Sequence, residues 1–348
     1  MIPPVAFEPL GVRHEGVELV AATLHAARGL RARVLNLGAT LWSLHVPDAV
    51  GSLADVVLGY DDPAQYVHDA FYVGAVCGRF ANRIANARFT LDGTQHRLTA
   101  NQPPHQLHGG ARGFNRVMWE MRPVTRDGSQ GVELTYASPE GEEGFPGALH
   151  TAVTYWLHDS GALDVEFHAA ASHATPVNLT QHSYFNLAGA GSITDHSLQV
   201  HAERYLPVDA RQIPLGLFAD VANTPLDLRS AQRLGPVLAD PLLGDGSLDH
   251  SFAIREWKPD GSLRPAAELS DPISGRRLRV FTTEPAVHCY AARYLEGVRG
   301  KRGVEHRPFD GICLETQRFP DSPNHPEWPT TIVRPGTPFT ARTRFTFG

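Results

Sequence analysis

Two ionisable residues in the chain stand in surroundings that favour proton transfer. Glu315 directly follows the apolar residues 312–314, so a carboxylate stands in a run that is typical of a buried strand. Burial disfavours the charged form of a carboxylate, which makes it a base that works near neutral pH. His182 precedes the aromatic-rich run 183–187, and an imidazole gains or loses a proton near pH 7. Taken singly, Glu315 is also compatible with a salt-bridged structural carboxylate, and His182 with a core histidine bonded to backbone.

Five further residues offer groups that suit the hydroxyls or the ring of a sugar. Asn82 and Arg83 bring amide and guanidinium donors, and Asp249 can accept hydrogen bonds from two hydroxyls. His108 stands beside two glycines, where a backbone can approach a ligand closely. Tyr184 offers an aromatic face. Loop bracing, turn formation and core packing explain each of these residues equally well when it is considered alone.

Metal and phosphate chemistry find little support in the motifs. His105 and His108 have the spacing of a metal-binding pair, but the chain lacks a His-Glu-x-x-His sequence and clustered cysteine ligands. It also lacks the Gly-x-Ser-x-Gly elbow of many hydrolases and a phosphate-binding P-loop. We therefore expect neither a metal nor another cofactor.

The elements that must position these residues are predicted from an alternation of apolar and polar residues with a period of two. The alternation is clearest in residues 149–158, 163–169 and 339–347. Successive side chains of a strand point to opposite faces of its sheet, so each segment predicts a strand with one apolar face. Asp92-Gly93 lies between two shorter strand-like segments and predicts a hairpin with a tight turn.

The fold class follows from the same pattern together with the turn-forming residues. The chain has 32 glycines and 27 prolines, evenly spread, and both residue types are costly inside helices. Only residues 236–240 suggest a short helix. The sequence predicts a single all-β domain over residues 1–348, built from mainly antiparallel strands in two sheets packed face to face.

Composition excludes several classes of partner. The net charge is −6 and the basic residues are scattered, so we expect no nucleic-acid partner. No stretch approaches the roughly 18 apolar residues of a membrane span, so we expect no membrane partner. Residues 1–5 have neither a basic nor an apolar region typical of a secretion signal, and the three cysteines are widely spaced. These features favour a cytoplasmic protein with free thiols.

The segments that break the strand pattern resemble, in their order and spacing, the galactose mutarotase (aldose 1-epimerase) family. The resemblance covers most of the chain. The matching segments are residues 38–42, 55–60, 78–84, 107–114, 141–147, 175–180, 182–189, 314–317 and 320–324. The number of motifs and their common order make chance agreement very improbable.

The resemblance implies a large β-sandwich and an isomerase that interconverts the α and β anomers of free sugars such as galactose and glucose. It implies that His182 is the general acid, Glu315 the general base and His108 a second active-site histidine. It implies that the sugar is contacted by Asn82, Arg83, His108, Tyr184 and Asp249. The family usually has glutamine where this chain has His288, which still offers a hydrogen bond to a hydroxyl.

Three other functions are compatible with a sugar-binding β protein. An epimerase of hexose 6-phosphates needs a cationic pocket for the phosphate group. A non-catalytic sugar sensor needs no acid and base, and the presence of both Glu315 and His182 argues against it. A glycoside-processing enzyme uses two carboxylates on either side of a glycosidic bond.

Overall fold

The computed structural model describes residues 3–244 and 247–348, so Met1 and Ile2 of the N-terminal stretch lie outside the described residues. The strands, in chain order, are β1 (Ala6–His14), β2 (Val17–His25), β3 (Arg31–Leu35), β4 (Leu41–Pro47), β5 (Leu53–Asp55), β6 (Val76–Cys77), β7 (Arg83–Ile84), β8 (Arg88–Leu91), β9 (Thr94–Arg97), β10 (Gln106–Leu107), β11 (Glu120–Arg126), β12 (Ser129–Ser138), β13 (Leu149–Leu157), β14 (Ala162–Ala171), β15 (Thr175–Pro176), β16 (Thr180–Gln181), β17 (Tyr184–Phe185), β18 (Ser197–Val200), β19 (Ala202–Tyr205), β20 (Ala219–Asp220), β21 (Gln232–Arg233), β22 (Asp249–Ile254), β23 (Arg264–Ser270), β24 (Arg277–Thr282), β25 (Ala286–Tyr290), β26 (Val298–Arg299), β27 (Glu305–His306), β28 (Ile312–Gln317), β29 (Ile332–Val333) and β30 (Phe339–Phe347). Helices are few: α1 (Ala64–Val67), α2 (Leu234–Leu238) and the 3₁₀ turns Ala27–Gly29, Ala85–Ala87, Phe114–Arg116, Glu142–Gly144, Ile193–Asp195, Pro241–Leu243, Lys301–Gly303 and Ser322–Asn324.

Three sheets carry most of the strands. The largest has the order β11-β12-β13-β14-β30-β24-β23-β18-β21, the second β17-β28-β25-β22-β19-β20, and the third β1-β2-β3-β4-β5. Neighbouring strands in the nine-stranded sheet are antiparallel, as in the pairing of β13 with β14 and of β14 with β30. The prediction of an all-β fold with mainly antiparallel strands is confirmed.

The nine-stranded and six-stranded sheets share one core. The rings of Phe185 on β17 and Phe345 on β30 lie 5.3 Å apart, and Thr316 on β28 is hydrogen-bonded to Thr343 on β30. Both phenylalanines are almost completely buried. Each buried side chain of this size stabilises the fold by about 1.5–3 kcal/mol relative to exposure. The opposite face of the six-stranded sheet is therefore free to carry a site.

The predicted alternation is confirmed in the three long strands β13, β14 and β30. Along β30 the odd-numbered residues 339–345 are buried and the even-numbered residues between them are more exposed. Thr154, Trp156 and Asp164 are exceptions on the polar faces of β13 and β14, and Asp164 is completely buried. The guanidinium groups of Arg342 and Arg344 bind its carboxylate from the neighbouring strand, and their pairing offsets the cost of burying the charge.

The smaller local predictions are also confirmed. Asp92 and Gly93 join β8 to β9, and their φ angles of 49° and 81° are those that a two-residue hairpin turn requires. The short helix predicted near residues 236–240 is α2. All three cysteines are buried free thiols. Among the described residues, no helix is long and apolar enough to cross a membrane.

Candidate active site

One cavity of about 300 Å³ brings together all eight site residues that the sequence predicts. These residues, which come from six separate parts of the chain, are Asn82, Arg83, His108, His182, Tyr184, Asp249, His288 and Glu315. Their side chains converge although up to 233 positions separate them in sequence (315 − 82).

The front face of the six-stranded sheet forms the floor of the cavity. His288 on β25 is the direct cross-strand partner of Glu315 on β28 and of Ser251 on β22. Asp249 lies two residues before Ser251, so it points to the same face. Glu315 is 1% exposed, and its second carboxylate oxygen has no hydrogen-bond partner in the described chain. The buried carboxylate of Glu315 therefore has unused acceptor capacity.

His182 is fixed beside Glu315 by the short connection between β16 and β17. Its backbone N–H donates to the carbonyl of Ala75, and its carbonyl accepts from Gly74. Its Nε2 lies 3.5 Å from Oε1 of Glu315, and its Nδ1 lies 3.5 Å from Sγ of Cys313. Since both side chains are buried, an imidazole and a carboxylate face the same small volume with little competing water.

Asn82 and His108 are held together by the pairing of β7 with β10. The backbone N–H of Asn82 donates to Nδ1 of His108, and the backbone N–H of His108 donates back to the Asn82 carbonyl. Gly109 follows with φ of 88°, and a Cβ there would lie 1.9 Å from the carbonyl oxygen of Gly78. Only glycine fits this close approach, so it fixes the position of His108.

The hydrogen bond from Asn82 also determines which form His108 takes. A backbone N–H can only donate, so Nδ1 of His108 must be the unprotonated nitrogen. Burial lowers the pKa of His108 well below 6.5, and the charges of His182 and Arg83 lower it further. His108 is therefore a neutral imidazole that carries its hydrogen on Nε2 and can donate it to a ligand.

Asp249 and His288 form a buried ion pair in the cavity wall. Nε2 of His288 lies 2.6 Å from Oδ1 of Asp249, and Nδ1 lies 2.8 Å from Oγ of Ser251. Burial disfavours charged His288, but the hydrogen bond and charge of Asp249, with the charge of Glu315, raise its pKa above 6.5. Burial likewise opposes ionised Asp249, and His288 lowers the pKa of that carboxyl below 3.8. Both ring nitrogens of His288 are thus engaged within the protein.

Tyr184 contributes its ring to the cavity. Its hydroxyl donates to the carbonyl of Phe71 over 2.8 Å, and its ring lies 5.1 Å from that of His182. Burial raises the pKa of Tyr184 well above 10, so the phenol stays neutral. Arg83 is anchored by its Nε, which donates to the side-chain oxygen of Gln102.

Sequence reasoning missed several members of the wall: Phe71, Tyr72, Gln102, Tyr290 and Tyr294. Tyr72 packs its ring 4.5 Å from His108 and 5.8 Å from His182, although no motif marks it. Tyr290 had a usable signal, because it alternates with His288 on β25 and therefore shares its face. The four aromatic residues of this set give the cavity apolar surfaces around its few polar groups, as is usual for small-molecule sites.

The centre of the cavity also has the spacing of a metal site. Ligand atoms of His108, His182 and Glu315 lie within 4.8 Å of one another, and zinc accepts such a set of two imidazoles and one carboxylate. His105, which spacing alone pairs with His108, is not in this group, and its Nδ1 accepts from the backbone of Asn86. The same proximity is what a base and an acid need to act on neighbouring atoms.

Comparison with known proteins gives one consistent result. A family model described as aldose 1-epimerase matches residues 21–346. Galactose mutarotase of Homo sapiens is 44% identical over 321 residues, which cover 91% of each chain. Aldose 1-epimerase of Escherichia coli (strain K12) is 36% identical over 334 residues, 93% of this chain and 94% of that one.

Solved structures agree with the sequence relatives. An aldose epimerase homologue from C. elegans is 31% identical with a TM-score of 0.86, over 94% of this chain and 99% of that one. Galactose 1-epimerase from Lactobacillus acidophilus NCFM is 27% identical with a TM-score of 0.87, over 100% and 99%. The arrangement of sheets is therefore shared by relatives along the whole chain.

Proposed function

The chain belongs to the aldose 1-epimerase family and is an isomerase that interconverts the anomers of free aldoses, and we propose that Glu315 and His182 carry its proton transfers. The observation that carries this proposal is the 3.5 Å separation of Glu315 Oε1 and His182 Nε2 within a buried cavity. A cyclic aldose presents two oxygens on one carbon, the anomeric O1 and the ring O5. The two protein groups must therefore lie side by side, as these do.

The reaction proceeds by opening and closing of the ring. Glu315 removes the proton from O1 while His182 delivers a proton to O5, the C1–O5 bond breaks, and O1 becomes the oxygen of an aldehyde. Rotation about C1–C2 exposes the other face of that aldehyde. On closure O5 attacks C1 and returns its proton to His182, and Glu315 returns its proton to O1. Atoms and protons balance, because only the configuration at C1 changes.

His108 and Arg83 stabilise the negative charge that develops on oxygen during these steps. Neutral His108 donates from Nε2 without adding a positive charge beside His182. Fixed donors in a water-poor site cost no reorganisation as charge develops, which is why such groups accelerate reactions strongly. Proton transfer through Glu315 and His182 needs no electron acceptor. We propose that the centre formed by His108, His182 and Glu315 works by proton transfer.

We propose galactose and glucose as the substrates, with Asn82, Arg83 and Asp249 binding hydroxyl groups and Tyr184 facing the ring. A hexose 6-phosphate is disfavoured by charge. Arg83 is the only lysine or arginine among the described residues that line the cavity, and the carboxylates of Asp249 and Glu315 oppose it. Arg83 is therefore the only permanent cation that could pair with the phosphate dianion, and the carboxylate of Glu315 repels it.

A panel of sugars tests this assignment. Freshly dissolved α-D-galactose and α-D-glucose are expected to relax faster with protein than in buffer, as followed by optical rotation. The kcat/KM for glucose 6-phosphate is expected to be at least about tenfold lower, because repulsion costs about 1.4 kcal/mol or more. A nitrophenyl galactoside should not be cleaved. Faster turnover of the phosphate ester, or cleavage of the galactoside, would reject the assignment.

We propose that His288 acts through Asp249 and not on the sugar directly. Its two ring nitrogens already bind Asp249 and Ser251, so it holds the carboxylate ionised and aimed at the cavity. This residue replaces the glutamine that is usual in the family. A glutamine could share a neutral hydrogen bond with Asp249, whereas His288 adds a charge that depends on pH.

The ion pair makes a pH-dependent contribution to stability. The pKa of His288 is raised above 6.5, so its contribution is complete below pH 6.5 and disappears as pH rises through the raised value. The pKa of Asp249 is lowered below 3.8, so its contribution disappears as pH falls through that lowered value. The difference in unfolding free energy between wild type and His288→Gln should therefore be largest between pH 3.8 and 6.5. Urea unfolding from pH 4 to 9 measures it, and a difference that grows above pH 8 would contradict the ion pair.

A further inference from the structure

The imidazole of His182 contacts two residues of one strand, one through each ring nitrogen. Cys313 and Glu315 are two positions apart on β28, so their side chains point to the same face of the sheet. Sγ of Cys313 lies 3.5 Å from Nδ1 of His182, and Oε1 of Glu315 lies 3.5 Å from Nε2. The proton transfers of the proposed reaction use Glu315 and leave Cys313 without a role.

The position of Cys313 is fixed by the sheet that carries the site. Strand β28 lies between β17 and β25, and Cys313 is the direct cross-strand partner of Tyr184 and of Tyr290. The Cys313 side chain is completely buried and does not line the sugar cavity. It therefore contacts the ring of His182 without reaching the sugar. Because the strand is paired on both sides, the sulfur keeps a constant position relative to the Glu315 carboxylate.

The sulfur of Cys313 is a neutral partner for the ring. Burial raises the pKa of the Cys313 thiol well above 9, and the charges of Glu315 and Cys77 raise it further. A neutral thiol can accept a hydrogen bond, although only weakly. His288 shows the contrast: burial disfavours its charged form, yet the carboxylate of Asp249 raises its pKa above 6.5. A thiol orients an imidazole without a negative charge that would hold the proton on it.

The direction of the hydrogen bond between Cys313 and His182 follows from the role of His182 as the acid. A histidine that is ready to deliver a proton carries hydrogen on both ring nitrogens, so Sγ can only accept from Nδ1. The Nε2–H bond breaks as its proton passes to O5, and the electron pair remains on Nε2. Nδ1 keeps its hydrogen and its contact with Sγ. Nε2 is then the unprotonated nitrogen, and it takes the proton back from O5 when the sugar ring closes.

We propose that Cys313 is a positioning residue, which accepts the Nδ1–H of His182 and so keeps Nε2 as the nitrogen that exchanges a proton with the sugar. This role of Cys313 rests on the proposed function of His182 as the acid. Without the sulfur, the neutral ring could carry its hydrogen on either nitrogen, and only one of these two forms recovers the proton from O5. The ring would also lose a contact that limits its rotation.

Polarimetry of α-D-galactose with variants of Cys313 tests the proposal. Cys313→Ala removes the acceptor and is expected to lower kcat by about tenfold, the effect of one hydrogen bond, while KM stays within about twofold of wild type. Cys313→Ser retains an acceptor and should recover most of kcat. Cys313→Val also lacks an acceptor but fills the volume of the thiol, so it replaces the alanine variant should that variant fail to fold.

Cys289 provides the matched control. It is also a completely buried free thiol, but it alternates with His288 and Tyr290 on β25, so it points to the opposite face of the same sheet. It does not line the sugar cavity. Cys289→Ala removes the same atom as Cys313→Ala and should keep the kcat and KM of wild type. Thermal unfolding of each variant shows whether it is folded.

A second measurement separates positioning of His182 from a general effect on packing. If Cys313 acts through His182, adding Cys313→Ala to His182→Asn should lower kcat no further. Equal losses in the two backgrounds would overturn the proposal, as would wild-type kcat in Cys313→Ala and Cys313→Val, or no recovery in Cys313→Ser. These results would leave His182 as the acid, whereas wild-type kcat in His182→Asn would overturn the proposed function itself.

Discussion

Replacing Glu315 by glutamine is expected to lower kcat for galactose by about 10²- to 10⁴-fold, the range for loss of a general base. The amide keeps the shape of the side chain but cannot take the proton from O1. Because Glu315 is buried and one of its oxygens is unpartnered, removing its charge should not lower thermal stability. Saturation-transfer NMR between the α and β anomeric protons measures the exchange at equilibrium, and thermal unfolding checks the fold.

Glu284 provides the matched control for this substitution. It is also 1% exposed, and burial raises its pKa to about 7 despite the charge of Arg318, but it does not line the sugar cavity. Glu284→Gln should therefore keep most of the activity. Similar losses in the two variants would mean that buried carboxylates support the fold in general, and Glu315 would lose its assignment as the base.

The second large effect is expected for His182→Asn, which should also lower kcat by about 10²- to 10⁴-fold. Asparagine cannot deliver a proton to O5, and its amide leaves the contact with Cys313 unfilled. Because the base and the acid act in one step, the double variant should be little slower than the slower single variant. Stopped-flow polarimetry on both single variants and the double variant checks this, and strictly multiplicative losses would contradict concerted action.

His196→Asn serves as the control for the histidine. His196 is 1% exposed, its Nε2 accepts from the backbone N–H of Leu187, and it does not line the sugar cavity. This variant is expected to lose stability but to keep kcat.

Much of the fold could be predicted because the alternation of apolar and polar residues along the long strands agrees with which of their faces is buried. Strands β13, β14 and β30 have one buried face each, so their period of two is visible in the residues themselves. Short strands such as β6, β7 and β16 were not predicted, because two residues carry no period. Their positions depend on pairing with distant segments, for example that of β16 with β6.

Six of the eight predicted site residues lie in segments that match the family motifs, whereas Asp249 and His288 do not, and the geometry of the site was not available from sequence. The residues near His288 in the sequence do not indicate that its two ring nitrogens form hydrogen bonds with Asp249 and Ser251. Tyr72 is brought to His108 only by the tertiary fold. The side chain of Lys301 donates to Asp55, 246 positions away in sequence, and no motif joins the two residues. Contacts between distant segments are what the sequence alone could not supply.

The most direct test of the Glu315–His182 pair is the optical rotation of freshly dissolved α-D-galactose with wild type, with Glu315→Gln and with buffer alone. We predict rapid relaxation to the equilibrium rotation with wild type, and relaxation close to the buffer rate with the variant. Starting from β-D-galactose should give the same final rotation, approached from the other side. Relaxation at the buffer rate with folded wild type, or equal acceleration by wild type and Glu315→Gln, would contradict the mechanism.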